Sequence, residues 1–311
     1  MDKPDFEWQK ISTTGLELVG KGGRASVYAL DDEKIVKVFH DDLSEEIIKT
    51  ELTRAGEIYH SGIPAAMPYR AVIADGKYGL VYERLKGRSL GAMIADEPER
   101  AEEYGIQMGK LLKQLHTTRL NSDTLPNIKN RIFVWTDYLE EHFLNPEEVR
   151  TVREIIEVIP TRDTLLHCDF HPGNIMLRGS KPVLIDLDDV CTGHPIFDLS
   201  FNSLLHKYSD ETMIKRAMSL DKDTANRCRR FMLAEYFGTN ETAKLNEYER
   251  LIATFDTLMI LLVMARSAKA WNITMEQARL VINSSLPKFC DAADNITKAV
   301  NILPFPETIQ H

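Results

Sequence analysis

The sequence predicts a two-lobed α+β protein, in which a small antiparallel-sheet lobe with one helix precedes a larger, mainly helical lobe. Short β-rich runs separated by turns fill the first 84 residues, helical periodicity dominates from about residue 85, and one predicted hairpin interrupts the helical part. We therefore expect an N-terminal lobe at residues 1–84 and a C-terminal lobe at residues 85–311.

The composition limits the class of partner. The 47 acidic and 38 basic residues give a formal net charge of −9, and both signs are interleaved along the chain. This balance disfavours nucleic acid as a partner and suits a neutral or cationic ligand. The four cysteines are widely spaced, and the longest apolar run, 258–265, is far shorter than a membrane helix. We expect a cytoplasmic protein with reduced thiols and no membrane partner.

The N-terminal lobe is predicted from a series of β-rich runs. These runs lie at residues 16–20, 25–30, 35–39, 69–74 and 78–82. Segments typical of turns separate them at residues 21–24, 31–33 and 75–76. Such short connections join neighbouring antiparallel strands, so the runs indicate a meander.

One helix is predicted within this lobe. It begins near Ser44, a suitable N-cap residue that two glutamates follow in the first turn. Ile47, Glu51, Ala55 and Ile58 recur at helical spacing, which places one glutamate inside an apolar stripe.

The C-terminal lobe shows helical periodicity. A first apolar face consists of Ala101, Tyr104, Met108, Leu111 and Leu115. His116 ends this helix and is interpreted as a packing residue. Residues 149–159 form a second apolar face, and the chain beyond Phe197 has helical character throughout.

A predicted hairpin interrupts the helices. Residues 175–177 and 183–185 are apolar and flank a turn at 178–182. The residues that enter and leave an antiparallel hairpin are neighbours, so we expect Asn174 to lie beside Asp186. Asp188 follows closely, and this set of hard oxygen ligands favours Mg²⁺ over zinc.

A further carboxylate precedes the hairpin, within the segment HCDFHPGN. Asp169 lies five residues before Asn174, on a loop that Pro172 stiffens and Gly173 turns. A carboxylate in this position can point at a substrate without ligating the metal, which suits a base that orients a hydroxyl group.

These residues spell His-x-Asp-x-x-x-x-Asn, followed by an apolar strand and Asp. The pattern resembles the catalytic loop and metal-binding segment of the protein-kinase-like fold. The resemblance implies that Asp169 orients the acceptor hydroxyl and that His167 braces the catalytic loop. It also implies that Asn174 and Asp186 hold Mg²⁺.

This resemblance also implies a function for the glycine-containing segment. Gly20, Gly22 and Gly23 lie in or beside a turn between two strands, where a kinase-like fold covers the nucleotide phosphates. Ala25 replaces the third glycine of the kinase pattern. The alternative is a turn that only joins two strands.

The resemblance assigns the other nucleotide contacts as well. Lys37, in the middle of a strand, would reach the phosphates and pair with Glu51. Glu57 on the same helix is the other candidate, but its helical neighbours indicate a solvent-facing position. Glu83 to Leu85 would form the hinge, where backbone groups meet adenine.

The motifs resemble the aminoglycoside phosphotransferase and choline kinase group more than protein kinases. HCDFHPGN carries His171 where protein kinases have lysine, and IDLDD carries Asp-x-Asp in place of Asp-Phe-Gly. The resemblance implies Asp188 as a further metal ligand. GHPIFDLS resembles Gly-Asp-Pro-x-x-Asp-Leu, which implies that Asp198 braces the catalytic loop. The resemblance covers about residues 18–200.

The patterns predict an ATP- and Mg²⁺-dependent phosphotransferase that acts on a hydroxyl of a small molecule. Its acceptor would be an aminoglycoside, an amino-alcohol or a sugar-like compound. A nucleotide-binding pseudokinase is the alternative, although it would need neither the base nor both metal ligands. A protein kinase is disfavoured, because the short segment from Asp186 to Asp198 contains no Ala-Pro-Glu and leaves little chain for a peptide-docking platform.

Overall fold

The computed structural model describes residues 8–120, 122–267 and 273–307. Contacts divide the chain into two compact units, Met1–Gly87 with Met176–Asp188 and Arg88–Ile175 with Asp189–His311. We predicted one boundary near residue 85, with the hairpin in the C-terminal lobe. The contacts instead group most of the hairpin with the N-terminal unit.

A mixed sheet forms the N-terminal unit. Its strands are β1 (Gln9–Ile11), β2 (Leu18–Lys21), β3 (Ala25–Ala29), β4 (Lys34–Phe39), β5 (Pro68–Ala74) and β6 (Lys77–Glu83). They lie in the order β1-β5-β6-β4-β3-β2. Neighbouring strands are antiparallel except β1, which pairs parallel to β5. We did not predict β1, because a strand of three residues carries no periodic pattern.

The helix α1 (Glu45–His60) begins where the sequence predicts it. The Ser44 hydroxyl accepts a hydrogen bond from the Ile47 amide at 3.3 Å, as an N-cap does. Ile48, Ala55 and Ile58 are buried, whereas Ile47 is 46% exposed. The predicted apolar stripe is therefore wrong at Ile47, and Ile48 occupies the buried position.

Two apolar clusters hold this unit together. One consists of Ala25, Phe39, Ile48, Ala71 and Leu80, and the other of Val36, Val38, Val72, Ala74 and Val81. Successive residues of a strand point to opposite faces, which explains why neighbours in β4 belong to different clusters. Lys37 therefore shares a face with Phe39, on the side that α1 covers through Ile48.

The predicted hairpin is present as β8 (Ile175–Arg178) and β9 (Lys181–Leu184). Gly179 in its turn has a φ of +66°, a conformation that glycine adopts without strain. Backbone hydrogen bonds join Leu184 to Pro64 (2.8 Å) and to Ala66 (3.1 Å). These bonds explain why the hairpin groups with the N-terminal unit.

The C-terminal unit is mainly helical. Its helices are α2 (Leu90–Asp96), α3 (Ala101–Thr117), α4 (Ile128–His142), α5 (Pro146–Glu157), α6 (Ile196–Tyr208), α7 (Glu211–Met218), α8 (Lys222–Phe237), α9 (Thr242–Ala253), α10 (Asp256–Ser267), α11 (Met275–Asp291) and α12 (Ala293–Ile302). The strands β7 (Thr164–Leu166) and β10 (Cys191–Gly193) form an antiparallel pair within it. In the described ranges, no helix has both the length and the apolar character that crossing a bilayer requires.

Close packing of α3 on α8 forms part of the helical core. All five residues of the apolar face predicted for α3 are buried. A Cβ atom at Gly105 would lie 2.6 Å from the Cys228 carbonyl oxygen, and one at Gly109 would lie 2.6 Å from the Met232 carbonyl oxygen. The two glycines, one helical turn apart, therefore let the backbones approach closely.

Candidate active site

In the N-terminal unit, Lys37 binds the two carboxylates of the Asp-x-Asp motif. Its Nζ donates hydrogen bonds to Asp186 Oδ1 at 2.6 Å and to Asp188 Oδ2 at 2.7 Å. The Lys37 and Asp188 side chains are 14% and 15% exposed, whereas Asp186 is 48% exposed. Asp186 has a φ of +59°, which aspartate tolerates better than most residues.

The charges of Lys37, Asp186 and Asp188 interact strongly. Burial by itself lowers the pKa of Lys37, but the carboxylates of Asp188 and Asp186 more than offset this and raise it above its ordinary value. Lys37 is therefore a cation at neutral pH. Two carboxylate oxygens converge on one positive charge, so the same oxygens are suitably arranged to receive a different cation.

Glu51, the predicted partner of Lys37, lies in α1 and accepts a hydrogen bond from Arg54 Nη1 at 2.9 Å. The hydrogen bonds described for Lys37 run instead to Asp186 and Asp188. Pairing of Lys37 with Glu51 stays a prediction. The structure adds Asp188 as a direct lysine partner, a role that the sequence analysis did not assign to it.

The glycine-containing turn links β2 to β3. The Gly22 amide donates to the Ala25 carbonyl at 2.9 Å, and His40 binds the turn through Ser26 Oγ (2.9 Å) and the Gly23 carbonyl (3.2 Å). Neither packing nor a positive φ requires glycine at positions 22 and 23. Gly20 lies in β2, and a Cβ there would make only ordinary contacts. His40 was not predicted as part of the site, because it follows β4 without a recognisable motif.

At the predicted hinge, the Glu83 side chain has a structural partner. Arg178 of β8 donates from Nε to Glu83 Oε1 at 2.8 Å and from Nη2 to both Glu83 Oε2 and the Ala65 carbonyl. Arg178 lowers the pKa of Glu83 below its ordinary value. Leu85 lies just beyond β6 and is half-buried. Contact of this segment with adenine stays a prediction.

In the C-terminal unit, Asp198 binds the backbone of the catalytic loop, residues 167–174. Asp198 Oδ2 accepts from the His167 amide at 2.8 Å, and Oδ1 accepts from the Cys168 amide at 2.6 Å. Cys168 has a φ of +60°, an unfavourable conformation for a residue with a side chain. The His167 and Asp198 side chains are buried. The two hydrogen bonds from these backbone amides to Asp198 therefore hold the chain immediately before Asp169 in an otherwise costly conformation.

His116 supports Asp198 from the end of α3. Its Nε2 lies 3.0 Å from Asp198 Oδ2, and its Nδ1 lies 2.7 Å from the Tyr236 hydroxyl. Since a carboxylate oxygen accepts, Nε2 donates to Asp198, and the second ring nitrogen bonds the tyrosine hydroxyl. The interpretation of His116 as a packing residue missed this bond. Its partners are 82 and 120 residues away, so no local pattern could predict them.

The Asp169 side chain is oriented by two later residues of the loop. Asn174 Nδ2 donates to Asp169 Oδ2 at 2.9 Å and to the Asp169 carbonyl at 3.0 Å. His171 Nε2 lies 3.5 Å from Asp169 Oδ1, while its Nδ1 accepts from the Gly173 amide at 3.1 Å. The Asp169 side chain is 51% exposed. It is therefore oriented and still open to solvent.

The carboxyl group of Asp169 is ionised. Partial burial alone would raise its pKa, but His171, His167 and the hydrogen bond from Asn174 lower it below the ordinary value.

The loop passes so close to the Ala217 backbone that position 173 has room only for glycine. A Cβ atom there would lie 2.0 Å from the Ala217 carbonyl oxygen. The predicted contact of Asn174 with Asp186 concerns both units and stays a prediction.

The chain matches the family model described as the phosphotransferase enzyme family over residues 15–223, and it belongs to this family. Membership confirms the family resemblance and the predicted class of enzyme, a small-molecule phosphotransferase. A search of curated proteins found no match.

Solved structures of similar fold agree with this assignment. The ADP-bound aminoglycoside phosphotransferase APH(2'')-Ib is 17% identical with a TM-score of 0.61, and the match covers 89% of this chain and 94% of that chain. A choline/ethanolamine kinase family protein from Mesorhizobium loti is 14% identical with a TM-score of 0.57, covering 92% of each chain. The streptomycin–ATP complex of APH(2'')-IIa is 16% identical with a TM-score of 0.56, covering 89% and 93%. These similarities confirm the predicted protein-kinase-like fold.

Proposed function

We propose that the protein transfers the γ-phosphate of ATP to a hydroxyl group of a small molecule. The observation that carries this proposal is the orientation of Asp169, whose ionised carboxylate is held by Asn174 yet stays open to solvent. A carboxylate in this state can accept a hydrogen bond from an acceptor hydroxyl and orient it for attack. Asp198 and His167 serve as supports of the loop that carries it.

Lys37 and the Asp-x-Asp motif provide the nucleotide part of the proposal. Lys37 would bind phosphate oxygens, with Glu51, Glu83, Leu85 and the turn containing Gly20, Gly22 and Gly23 as the other proposed nucleotide contacts. Similar structures with ADP or ATP bound support a nucleotide here.

Mg²⁺ suits the residues proposed to hold it. Asp186, Asp188 and Asn174 offer oxygen ligands, and the two carboxylates already converge on Lys37 Nζ. Within the described ranges, no group of three or more His, Cys, Asp or Glu side chains could hold a metal ion. Mg²⁺ usually keeps water and phosphate oxygens in its coordination shell, so a complete protein cage is unnecessary. The bound metal would neutralise charge on the transferring phosphate.

A small, hydroxylated and cationic acceptor is the best-supported substrate class. The net charge of −9 favours a cation. Gentamicin and streptomycin are bound in structures of similar fold. The short segment between Asp186 and Asp198 disfavours a protein substrate. A cytoplasmic site of action, where ATP is supplied, belongs to the same proposal.

The test is Mg²⁺-dependent ADP release with a panel of aminoglycosides, amino-alcohols, sugars and nucleosides. We expect at least one acceptor to stimulate the wild type, and Asp169→Asn to reduce that rate by roughly 10²- to 10⁴-fold. Asp186→Ala should abolish the Mg²⁺-dependent turnover. The exposed Asp123→Asn variant makes the same chemical change outside the site and should retain the wild-type rate.

Two results would contradict the proposal. ATP binding without turnover for any acceptor would favour the pseudokinase alternative. Transfer of radiolabel from ATP to proteins of a lysate, but to no small molecule, would favour a protein kinase.

A further inference from the structure

The helix α6 binds the catalytic loop at two points. Asp198 accepts from the His167 and Cys168 amides, which precede Asp169. One helical turn later, Asn202 Nδ2 donates to the Phe170 carbonyl at 2.9 Å, which follows Asp169. Residues four apart share one face of a helix, so Asp198 and Asn202 bracket the loop from the same side.

The orientation of the Asn202 amide is unambiguous. Its Oδ1 accepts from Arg229 Nε at 2.9 Å, while its Nδ2 donates to the Phe170 carbonyl. A guanidinium group only donates and a carbonyl only accepts, so one assignment of the amide oxygen and nitrogen satisfies both partners. Asn202 is buried, and losing either bond would leave a polar group without its partner.

Arg229 is itself held by a carboxylate. Its Nη1 donates to Glu249 Oε1 at 2.5 Å, and its side chain is 10% exposed. Burial lowers the pKa of Arg229, and the charge of Glu249 opposes this effect. A guanidinium stays charged in proteins, so Glu249 supplies the compensating charge. The contacts run from α9 through α8 and α6 to the catalytic loop.

We propose that Asn202 is a second positioning residue for Asp169, and that Arg229 and Glu249 fix its orientation. The bond to the Phe170 carbonyl fixes the peptide plane after Asp169, as Asp198 fixes the peptides before it. This inference assigns a role to α8 and α9, for which the sequence motifs gave none. It rests on the proposed function insofar as Asp169 acts as the base.

The test is Asn202→Asp, with Asn246→Asp as the matched control. The aspartate can still accept from Arg229, but it cannot donate to the Phe170 carbonyl and places a negative charge beside it. Asn246 of α9 accepts from Arg230 of α8 at 3.1 Å, so the control makes the same change at a second asparagine that binds an arginine of α8, on an exposed residue. Only the first variant disturbs the catalytic loop.

The first readout separates positioning from binding. We expect Asn202→Asp to lower kcat at least about tenfold and to change the KM for ATP less than about twofold, because a displaced base slows the chemical step and leaves the nucleotide contacts intact. Asn246→Asp should match the wild type in both constants. An unchanged kcat for Asn202→Asp in a folded, active protein would overturn the inference.

The second readout does not depend on turnover. Hydrogen exchange of residues 165–175 should be at least about tenfold faster in Asn202→Asp than in the wild type and Asn246→Asp. Equal exchange in all three proteins would overturn the inference even if no acceptor is found. Absence of turnover in the wild type, with fast exchange confined to Asn202→Asp, would reject the proposed function alone. If Asn202→Asp does not fold, Asn202→Ala removes the donor without adding charge and is judged by the same criteria.

Discussion

The catalytic loop and the glycine-containing turn differ in how their backbones are held. Around Asp169, side chains from α6 bind peptide groups on both sides, through Asp198 before it and Asn202 after it. In the turn, the described contacts are a backbone bond from Gly22 to Ala25 and the bonds of His40. The first segment is bound by two side chains that lie 30 to 32 residues away in the sequence. The second is bound by one local backbone bond and by the side chain of His40, which lies 14 and 17 residues from its partners.

Under the proposed function, this difference corresponds to two kinds of chemical task. A base contributes most when its geometry is fixed before the substrate arrives, because a displacement of about 1 Å can cost a hundredfold in rate. A phosphate-covering turn contributes backbone amides, and it needs space beside them for the ligand to approach. The open surroundings of Gly22 and Gly23 are consistent with that second task.

The two segments also differ in how much stability is lost when their supporting hydrogen bonds are removed. Asp198 is fully buried and holds two amides and His116, so its loss leaves several buried groups without an acceptor. An unsatisfied buried polar group costs about 1–3 kcal/mol. The bonds of the glycine-containing turn are partly exposed, and water can replace them. Mutations should therefore have unequal effects in the two places.

The largest expected effect is that of Asp198→Ala. We expect the free energy of unfolding to fall by about 3 kcal/mol and kcat to fall at least about 100-fold. The reason is that the backbone amides of His167 and Cys168, just before Asp169, lose the carboxylate oxygens that accept from them. Urea unfolding and Mg²⁺-dependent ADP release measure the two quantities.

The matched control for this change is Asp31→Ala. Asp31 Oδ1 also accepts from two backbone amides, those of Glu33 and Lys34, both at 2.7 Å, but in an exposed turn. We expect a clearly smaller loss of stability than for Asp198→Ala, because water can replace the exposed bonds, and an unchanged kcat. Equal losses of stability in the two variants would remove the distinction between the buried brace and an exposed turn.

Local features of the fold were predictable from the sequence. Ser44 was identified as a cap because its neighbours carry the signature, and the Asp75-Gly76 turn because both residues tolerate the positive φ of +48° and +84° seen there. The prediction was wrong at Ile47 because residues 47 and 48 both fit a helical stripe, and only the packing against the sheet decides between them.

Contacts between distant residues were not predictable in the same way. The motifs predicted roles for Asp169, Asn174 and Asp198, since the spacing of these residues is itself the signal. His116 and Asn202 carry no such signal, because a histidine or an asparagine in a helix has many possible uses. Only the tertiary arrangement brings them to Asp198 and to the Phe170 carbonyl.

The helix α6, which binds the catalytic loop, also carries a buried histidine that makes the folded state sensitive to acid. His206 lies on α6 one turn beyond Asn202, and burial, followed by the charge of Arg229, lowers its pKa to about 3, against the hydrogen bond to Asn226. An unfolded histidine takes up its proton near pH 6.5, whereas the folded one stays neutral until about pH 3. The contribution of His206 to stability is thus complete above pH 6.5 and is lost as the pH falls toward 3.

We therefore expect the Tm of the wild type to fall between pH 6.5 and pH 4, and to fall less in His206→Gln, which cannot titrate. Exposed His60 at the end of α1 provides the control, since His60→Gln should leave the pH dependence of Tm unchanged. Thermal unfolding at a series of pH values measures all three proteins. Parallel curves for the wild type and His206→Gln would exclude His206 as a source of the acid sensitivity.

The smallest expected effect is that of His40→Ala, which removes the side chain that ties Ser26 and the Gly23 carbonyl together. We expect the KM for ATP to rise about threefold, because a less ordered turn pays more conformational entropy when it closes on the phosphates, with kcat unchanged. This is the reverse of the pattern expected for Asn202→Asp. Steady-state kinetics of both variants give the kcat and the KM for ATP that test this contrast. If His40→Ala lowered kcat and left KM unchanged, the glycine-containing turn would have to be regarded as part of the machinery that positions the reacting groups, rather than as an adaptable cover for the nucleotide.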